Sequence, residues 1–487
     1  MVNEYGVRKL SKYEANIVVI GAGSGGLVSA LIAAAVKSKV ILIERDKMGG
    51  DCLNTGCVPS KALLRSAKIA NYMQRATEFG LAKVEVKADF KAVMQRVQDV
   101  IATIEPHDSV ERFTGLGVEC VMGEADIVDR YTVQVGDRTI TTKTIIIAAG
   151  ARPFVPPIKG LDEVGYLTSD TVWDVEEQPK RLLVLGGGPI GCELSQAFAK
   201  LGTQVTIVEM MDQLMGREDN DVAEHIRSRF ESDGIKVLTG HKAVEFRNTR
   251  EKTLVCEAES GLVEVVFDEV LIAVGRKANT DGMQLEKLGI KLRRNGTIET
   301  DDYLRTAVPN IFACGDITGP YQFTHTASHQ AWFATVNALF GFVRKFKVDY
   351  RVIPWATFTM PEVARVGINE REAKEQKLSY EVTRYGIDDL DRAIADGEAH
   401  GFVKVITPKG SDKVLGVTIV GHHAGDLISE YVLAMKYNLG LNKILGTIHL
   451  YPSLAEANKF VAGNWKRNNQ PHGLLKWVER FHAWRRR

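Results

Sequence analysis

The feature that most restricts the fold of this 487-residue chain is a pattern that occurs twice, about 165 residues apart. Residues 16–20, Asn-Ile-Val-Val-Ile, form a short apolar run before Gly21-Ala22-Gly23-Ser24-Gly25-Gly26. A helical pattern follows over 27–36, then an apolar run, 40–43, ending in Glu44. Residues 181–185 lead in the same way into Gly186-Gly187-Gly188-Pro189-Ile190-Gly191, a helical pattern through Leu201, and a run 205–208 ending in Glu209. Each copy reads as strand, glycine turn, helix and strand. The first glycines allow the tight turn and close approach to a pyrophosphate, which the helix N-terminus then holds. The terminal acid can accept hydrogen bonds from an adenosine ribose. A single fingerprint is weak, but strand, helix and acid repeated together point to two dinucleotide-binding units of α/β type. Glu209 favours the free 2′-hydroxyl of NAD and repels the 2′-phosphate of NADP, and Met210 and Met211 supply no arginine to neutralise that phosphate.

Between these copies lies Gly49-Gly50-Asp51-Cys52-Leu53-Asn54-Thr55-Gly56-Cys57-Val58-Pro59-Ser60-Lys61. Pro59 suits a first helical turn, so Cys57 sits at a helix N-terminus, where the macrodipole and free N–H groups favour a thiolate. On one regular helix, residues five apart are separated by roughly 7.5 Å along the axis. A disulfide needs Cα atoms about 4.4–6.8 Å apart, so the turn must tighten at Asn54 and Gly56. The pair reads as a redox centre; two buried cysteines in a glycine-rich loop are the alternative. Six cysteines in so long a chain do not make a disulfide framework, and Cys120, Cys192, Cys256 and Cys314 read as core filler. A net charge of +1 argues against nucleic-acid binding driven by bulk charge. Residues 1–15 lack the apolar run of a signal peptide, and no span of about 18 apolar residues occurs, so a cytoplasmic enzyme, or one peripheral to a membrane, is expected.

Long helical patterns occupy 60–78 and 90–113, and both are expected to pack over a cofactor. The strand 144–148 runs into Gly150 and Pro153, and 271–274 exits through Gly275 and Arg276. Residues 310–314 form a strand ending on Gly315-Asp316, before a helix opening at Phe323-Thr324-His325. From Val352 onward no glycine fingerprint occurs, which reads as a third unit of α+β type.

This ordered set of motifs resembles the class I pyridine nucleotide-disulfide oxidoreductases, the family of lipoamide dehydrogenase, glutathione reductase and mercuric reductase. The resemblance spans about residues 14–465. It implies two Rossmann-like domains, for FAD and NAD, plus an α+β C-terminal dimerisation domain. The implied division is 14–155 and 276–350 for FAD, 156–275 for NAD, 351–465 for the interface, and 466–487 as a basic amphipathic tail. The FAD set implied is Gly21, Gly23, Gly26, Glu44, Gly50, Cys52, Lys61, Gly123, Ala125, Gly150, Asp316 and Thr324, with Gly123 and Ala125 near the adenine and Asp316 on the ribityl chain. The NAD set is Gly186, Gly188, Gly191, Glu209 and Gly275. By the same resemblance Cys52 and Cys57 form the redox disulfide, Cys57 toward the flavin and Cys52 toward substrate, and Lys61 pairs with Glu193. A homodimer with no resident metal is implied, passing electrons from NADH to a small-molecule or protein disulfide, a metal ion or a quinone. A flavoprotein subunit with a mainly binding or scaffold role is the reading from another class.

Two departures stand out. Lipoamide dehydrogenase and glutathione reductase place a histidine before a proline, with a glutamate four residues beyond, as acid and base across the dimer interface. Here Tyr451 precedes Pro452; Glu456 is kept, and His449 lies two residues upstream. A phenol of pKa about 10 is a poor proton shuttle at neutral pH, whereas an imidazole near 6.5 is a good one. Asp51 stands where threonine is usual, and an anion there is costly unless it is hydrogen-bonded or turned away. Mercuric reductase also uses a tyrosine in that region, yet this chain has no cysteine after Cys314 to receive a metal ion. The tail sets Leu474, Trp477, Val478 and Phe481 on one helical stripe with Lys476, Arg480 and Arg485 to Arg487 available to the other face, the pattern of an interfacial helix or of one packed on its own dimer. From Glu209, kcat/KM with NADH is expected to exceed that with NADPH; steady-state rates with the two nucleotides measure this, and equal values contradict the argument.

Overall fold

The computed structural model describes residues 12–487, so most of the polar leader read at 1–15 lies outside it. The apolar runs flanking each glycine turn pair as central strands of a parallel sheet. In the first unit Ala15–Ile20 lies between Val40–Glu44 and Arg138–Ile147, with Val118–Met122 outside Val40–Glu44. Ile311–Ala313, from beyond the second unit, adds to the other side of Arg138–Ile147. In the second unit Arg181–Leu185 lies between Gln204–Val208 and Glu269–Ile272, all parallel, with a separate antiparallel sheet of Lys242–Asn248, Lys252–Ala258 and Gly261–Phe267. The near-continuous burial of Ile17 to Ile20 and Leu182 to Leu185 is what a parallel sheet covered on both faces requires.

The two glycine turns match atom for atom. Gly21 N–H donates to Ile43 O and Gly186 N–H to Val208 O, both at 2.8 Å. A Cβ on Gly26 would sit 1.7 Å from Gly21 O, and one on Gly191 2.0 Å from Gly186 O, so the third glycine of each motif lets the helix press on the turn. The helices that follow are Ser24–Ala35 and Pro189–Lys200.

Helix Cys57–Gln74 begins three residues before the expected 60 and stops four short of 78, where a single 3-10 turn, Ala76–Phe79, continues it. Its Leu63 and Ala67 share a core with Leu194 and Phe198 of the second unit. The helix expected over 90–113 is not continuous. It runs Phe90–Ile104, gives way to a 3-10 turn at Glu105–His107, and restarts as Val110–Gly115. Pro106 lacks the N–H that a helix interior needs and its ring clashes with the preceding turn, while Ser109 caps the new helix through Arg112 N–H. Two short strands, Ala151–Pro153 and Arg276–Ala278, pair antiparallel and draw the exits of both parallel sheets together.

The C-terminal unit is a five-stranded antiparallel sheet, in the order Pro354–Thr357, Glu362–Gly367, Gly416–Gly421, Phe402–Pro408 and Tyr380–Gly386, covered by Ala424–Lys436 and Glu456–Asn468. Lys404, 2 % exposed, fastens it to the second unit through Asp219 at 2.8 Å and Asp221 at 2.7 Å, with Glu370 of its own unit at 3.2 Å. Replacing Lys404 by Met leaves Asp219 buried against two further carboxylates. The cost is about 3 kcal/mol, the lower end for a broken buried pair, because Asp221 and Glu370 keep partial access to water. The check is a lowered midpoint of thermal unfolding.

Candidate active site

The two thiols meet because the chain breaks between them. Helix Gly50–Asn54 stops after one turn, held by the Asn54 amide, which donates to Met48 O at 3.0 Å and Gly50 O at 2.9 Å. Helix Cys57–Gln74 then starts from Gly56, whose position tolerates no Cβ, since one would stand 2.8 Å from Asp51 O. Cys52 and Cys57 therefore belong to two helices, rather than to the one tightened turn expected, and their thiols are in electrostatic contact. That contact, the Thr324 hydroxyl 3.4 Å from Cys57 Sγ, and the nearby Lys61 lower the Cys57 thiol from its ordinary value, against burial and Glu193. The same contact, with burial, raises Cys52. The two thiols are shifted in opposite directions, Cys57 toward the thiolate and Cys52 toward the protonated form.

Lys61 Nζ lies 2.6 Å from Glu193 Oε2 and 4.5 Å from the centre of the Phe358 ring. The other oxygen, Glu193 Oε1, accepts from Phe358 N–H at 2.9 Å. Trp173 fixes the loop between the thiols, its indole N–H donating to Thr55 O at 2.8 Å and Ser169 O at 2.7 Å.

These groups open on a cleft of about 900 Å³. Every residue expected to contact FAD lines it except Gly26, which packs behind the turn; of the NAD set, Gly188 and Gly275 line it, while Gly186, Gly191 and Glu209 form the turn behind. The residues present fit the two nucleotides. Neither nucleotide-facing helix has a side-chain cap at Gly23 or Gly188, so first-turn N–H groups are left for an anion. Gly50 presses so closely on Gly23 that a Cβ there would come 2.7 Å from Gly23 Cα, and a Cβ on Gly123 would come 2.6 Å from Val135, so backbone alone walls the cradle at these points. Glu44 accepts from Ala22 N–H at 2.6 Å and Asp46 N–H at 2.9 Å; Glu209 accepts from Gly187 N–H at 2.6 Å and Met211 N–H at 2.8 Å. Both acids are held at the turn they follow, as a ribose-binding carboxylate must be. Asp316 lies in the cleft with its carboxyl pushed up to about 6 by burial, despite the opposing charge of Arg276.

Arg276 and Trp173 line the cleft, and sequence reading gave neither a role there. Arg276 answers the cost raised for Asp51: its guanidinium binds the Asp51 carboxylate and donates to Ala151 O at 2.7 Å. Its place directly after the Gly275 exit was the available signal; Trp173 had none. Tyr451, His449 and Glu456 are not brought to the thiols within one chain. The Tyr451 hydroxyl donates to Asp391 Oδ2 at 3.0 Å, His449 Nε2 lies 3.0 Å from Glu430 Oε1, and Glu456 accepts from Ser453 N–H at 3.3 Å. They sit beside Ile448 and Leu450, which are 96 % and 79 % exposed. No group of three or more His, Cys, Asp or Glu able to hold a metal ion occurs among the described residues.

Residues 15–331 match the family model for pyridine nucleotide-disulphide oxidoreductases, and 353–461 match the dimerisation domain of the same family. Mercuric reductase of Staphylococcus aureus is 33 % identical over 449 residues, covering 92 % of this chain and 82 % of that protein. Dihydrolipoyl dehydrogenase of Chlamydia muridarum is 35 % identical over 448 residues, 90 % of this chain and 94 % of that one. Among solved structures, the HOCl-induced flavoprotein disulfide reductase RclA from Escherichia coli superposes with a TM-score of 0.83 at 26 % identity, covering 92 % of this chain and 99 % of RclA. With its paired nucleotide cradles, its thiol pair and its C-terminal sheet, the chain belongs to the pyridine nucleotide-disulfide oxidoreductases, flavoproteins that use FAD and NAD(P)H.

Proposed function

We propose that this protein is an NADH-preferring, FAD-dependent reductase that passes two electrons through Cys52 and Cys57 to a small acceptor. The observation that carries the reading is the placement of the thiol pair on the cleft, with Cys57 at a helix N-terminus, the Thr324 hydroxyl 3.4 Å from its sulfur and Lys61 held nearby by Glu193 at 2.6 Å. Gly21, Gly23, Glu44, Gly50, Gly123, Ala125, Gly150 and Asp316 would hold FAD, which would supply hydride acceptance from the nicotinamide and two-electron exchange with the thiols. Cys57 would be the thiol on the flavin side, and the Thr324 hydroxyl, 3.4 Å from its sulfur, favours its thiolate form. Lys61, fixed by Glu193, keeps a cation beside the thiolate, and Phe358 N–H keeps the Glu193 carboxylate in place. Cys52 would be the outer thiol: its sulfur attacks the acceptor disulfide as its proton passes to the departing sulfur, and the Cys57 thiolate then displaces the second acceptor sulfur as thiolate, closing the Cys52–Cys57 disulfide. Glu209 selects NAD, its carboxylate directed by the Gly187 and Met211 N–H groups. The division at residues 155, 275, 350 and 465 is read in the same way, with 276–350 returning to the flavin unit through Ile311–Ala313.

The dimerisation domain pairs two copies. We place Ile448 and Leu450 in the covered face, so that Tyr451 and Glu456 of one protomer approach the thiols of its partner. Tyr451 replaces the proton shuttle that disulfide exchange uses, which favours a second reading of the acceptor: a soft metal ion, taken up by thiolates without a histidine base. Support comes from the mercuric reductases among the relatives and from the Cu(II) complex of RclA. Among the described residues no helix is long and apolar enough to cross a membrane, and we place the enzyme in the cytoplasm.

An NADH-dependent screen of lipoamide, glutathione disulfide, Hg(II), Cu(II) and quinones tests the acceptor. Lipoamide turnover is expected to be slow and to rise in Tyr451→His, while Cys52→Ser abolishes disulfide reduction; brisk lipoamide turnover by the unaltered enzyme contradicts the reading of Tyr451. Alkylation of the reduced enzyme tests the shift of Cys57. Cys57 is expected to react at half its maximal rate well below the pH of about 8.5 at which an ordinary thiol does so. Lys61→Met moves that midpoint upward, because the cation that favours the thiolate is gone.

A further inference from the structure

The helix His472–Arg485 takes no part in the nucleotide cradles or the thiol site, and it lies beyond residue 461, where the match to the dimerisation domain ends. None of its residues is buried, although Trp477 is 62 % and Trp484 69 % exposed, with Leu474 and Phe481 also open to solvent. At 3.6 residues per turn, Leu474, Trp477, Val478, Phe481 and Trp484 fall within an arc of roughly 120°. The rings of that arc are ordered against one another: Trp477 stacks on Phe481 at 5.9 Å and 7°, and Phe481 meets Trp484 at 6.1 Å. Arg485, the one charge inside the arc, sets its guanidinium over the Phe481 ring at 5.9 Å, a cation held against the aromatic face. Around the arc, residues 472–487 carry five Lys and Arg against one Glu, a net charge of +4 in a chain whose total is +1.

An apolar aromatic stripe left in water calls for an occupant. A second copy of the helix brings the same +4 and is repelled. An anionic surface complements both the stripe and its charge. We propose that His472–Arg485 lies in the surface of an anionic phospholipid bilayer, with Leu474, Trp477, Phe481 and Trp484 among the acyl chains and the arginines at the headgroups. Each basic residue at the surface raises affinity roughly fivefold. The dimer presents two such helices, so binding of the first brings the second to a high local concentration. This inference is independent of which acceptor the thiols reduce.

The test is flotation of the FAD-loaded full-length enzyme with vesicles of phosphatidylcholine and phosphatidylglycerol in equal parts, against vesicles of phosphatidylcholine alone. The enzyme is expected to float with the anionic vesicles, to be released as salt screens the attraction, and to stay in the unbound fraction with phosphatidylcholine alone. The double variant Trp477→Glu, Phe481→Glu, which changes only exposed positions, is expected to lose flotation while its NADH-dependent turnover in solution and its dimer mass by sedimentation are unchanged. Absence of flotation with anionic vesicles overturns the proposal, as does equal flotation with both vesicle types. Dissociation of the double variant into monomers also overturns it, since the helix would then be an interface between copies.

Discussion

One carboxylate holds the three units of this chain in register. Glu193 stands on helix Pro189–Lys200 of the second unit, accepts from Lys61 on helix Cys57–Gln74 of the first, and accepts from Phe358 N–H at the edge of the C-terminal sheet. Its side chain is 8 % exposed and that of Lys61 37 %. Such a pair returns little net stability after its desolvation is counted. What it supplies is position. The helix that begins at Cys57 is fixed relative to both nucleotide turns, so the thiol pair, the first glycine turn and the second open on the same cleft.

The parts of this arrangement legible in the sequence are the local ones. The glycine turns could be read because a positive φ at Gly21 and Gly186 and a near-contact at Gly26 and Gly191 leave no other residue type at those positions. The helices behind them could be read from apolar spacing, and the start of the thiol helix from Pro59. The break at Pro106 was equally local, and reading through it gave weight to periodicity over a residue that cannot continue a helix. The partners of Asp51, Thr55 and Glu193 were of another kind. Arg276 lies 225 positions from Asp51, and Trp173 lies 118 from Thr55. The first contact rests on the pairing of Ala151–Pro153 with Arg276–Ala278, and nothing in the local pattern of either strand names the other. Lys61 with Glu193 was anticipated only through family resemblance.

Asp51 shows how a residue that looks unfavourable alone is absorbed by its surroundings. Besides Glu193, the cleft near the thiols carries Asp51, Asp170 and Asp316, and the Arg276 guanidinium acts on these three. Asp51 takes the guanidinium directly. Asp170 and Asp316 are both raised, first by burial, and the negative charge of Asp51 adds to each.

The two sides of the thiol pair differ in how completely one chain builds them. Cys57 has a helix N-terminus, a hydroxyl at 3.4 Å and a fixed cation, all from its own protomer. Cys52, the outer thiol of the proposed function, is raised, and among the described residues no imidazole lines the cleft. Tyr451, where a histidine was expected by resemblance to lipoamide dehydrogenase and glutathione reductase, carries a phenol raised by its hydrogen bond to Asp391, so it holds its proton more firmly rather than less. A group that neither accepts nor releases a proton near neutral pH can orient an acceptor but cannot shuttle for it. Acceptors that bind thiolate sulfur directly place the smallest demand on this side of the site, and that demand, rather than the cradles, is where selection among acceptors acts.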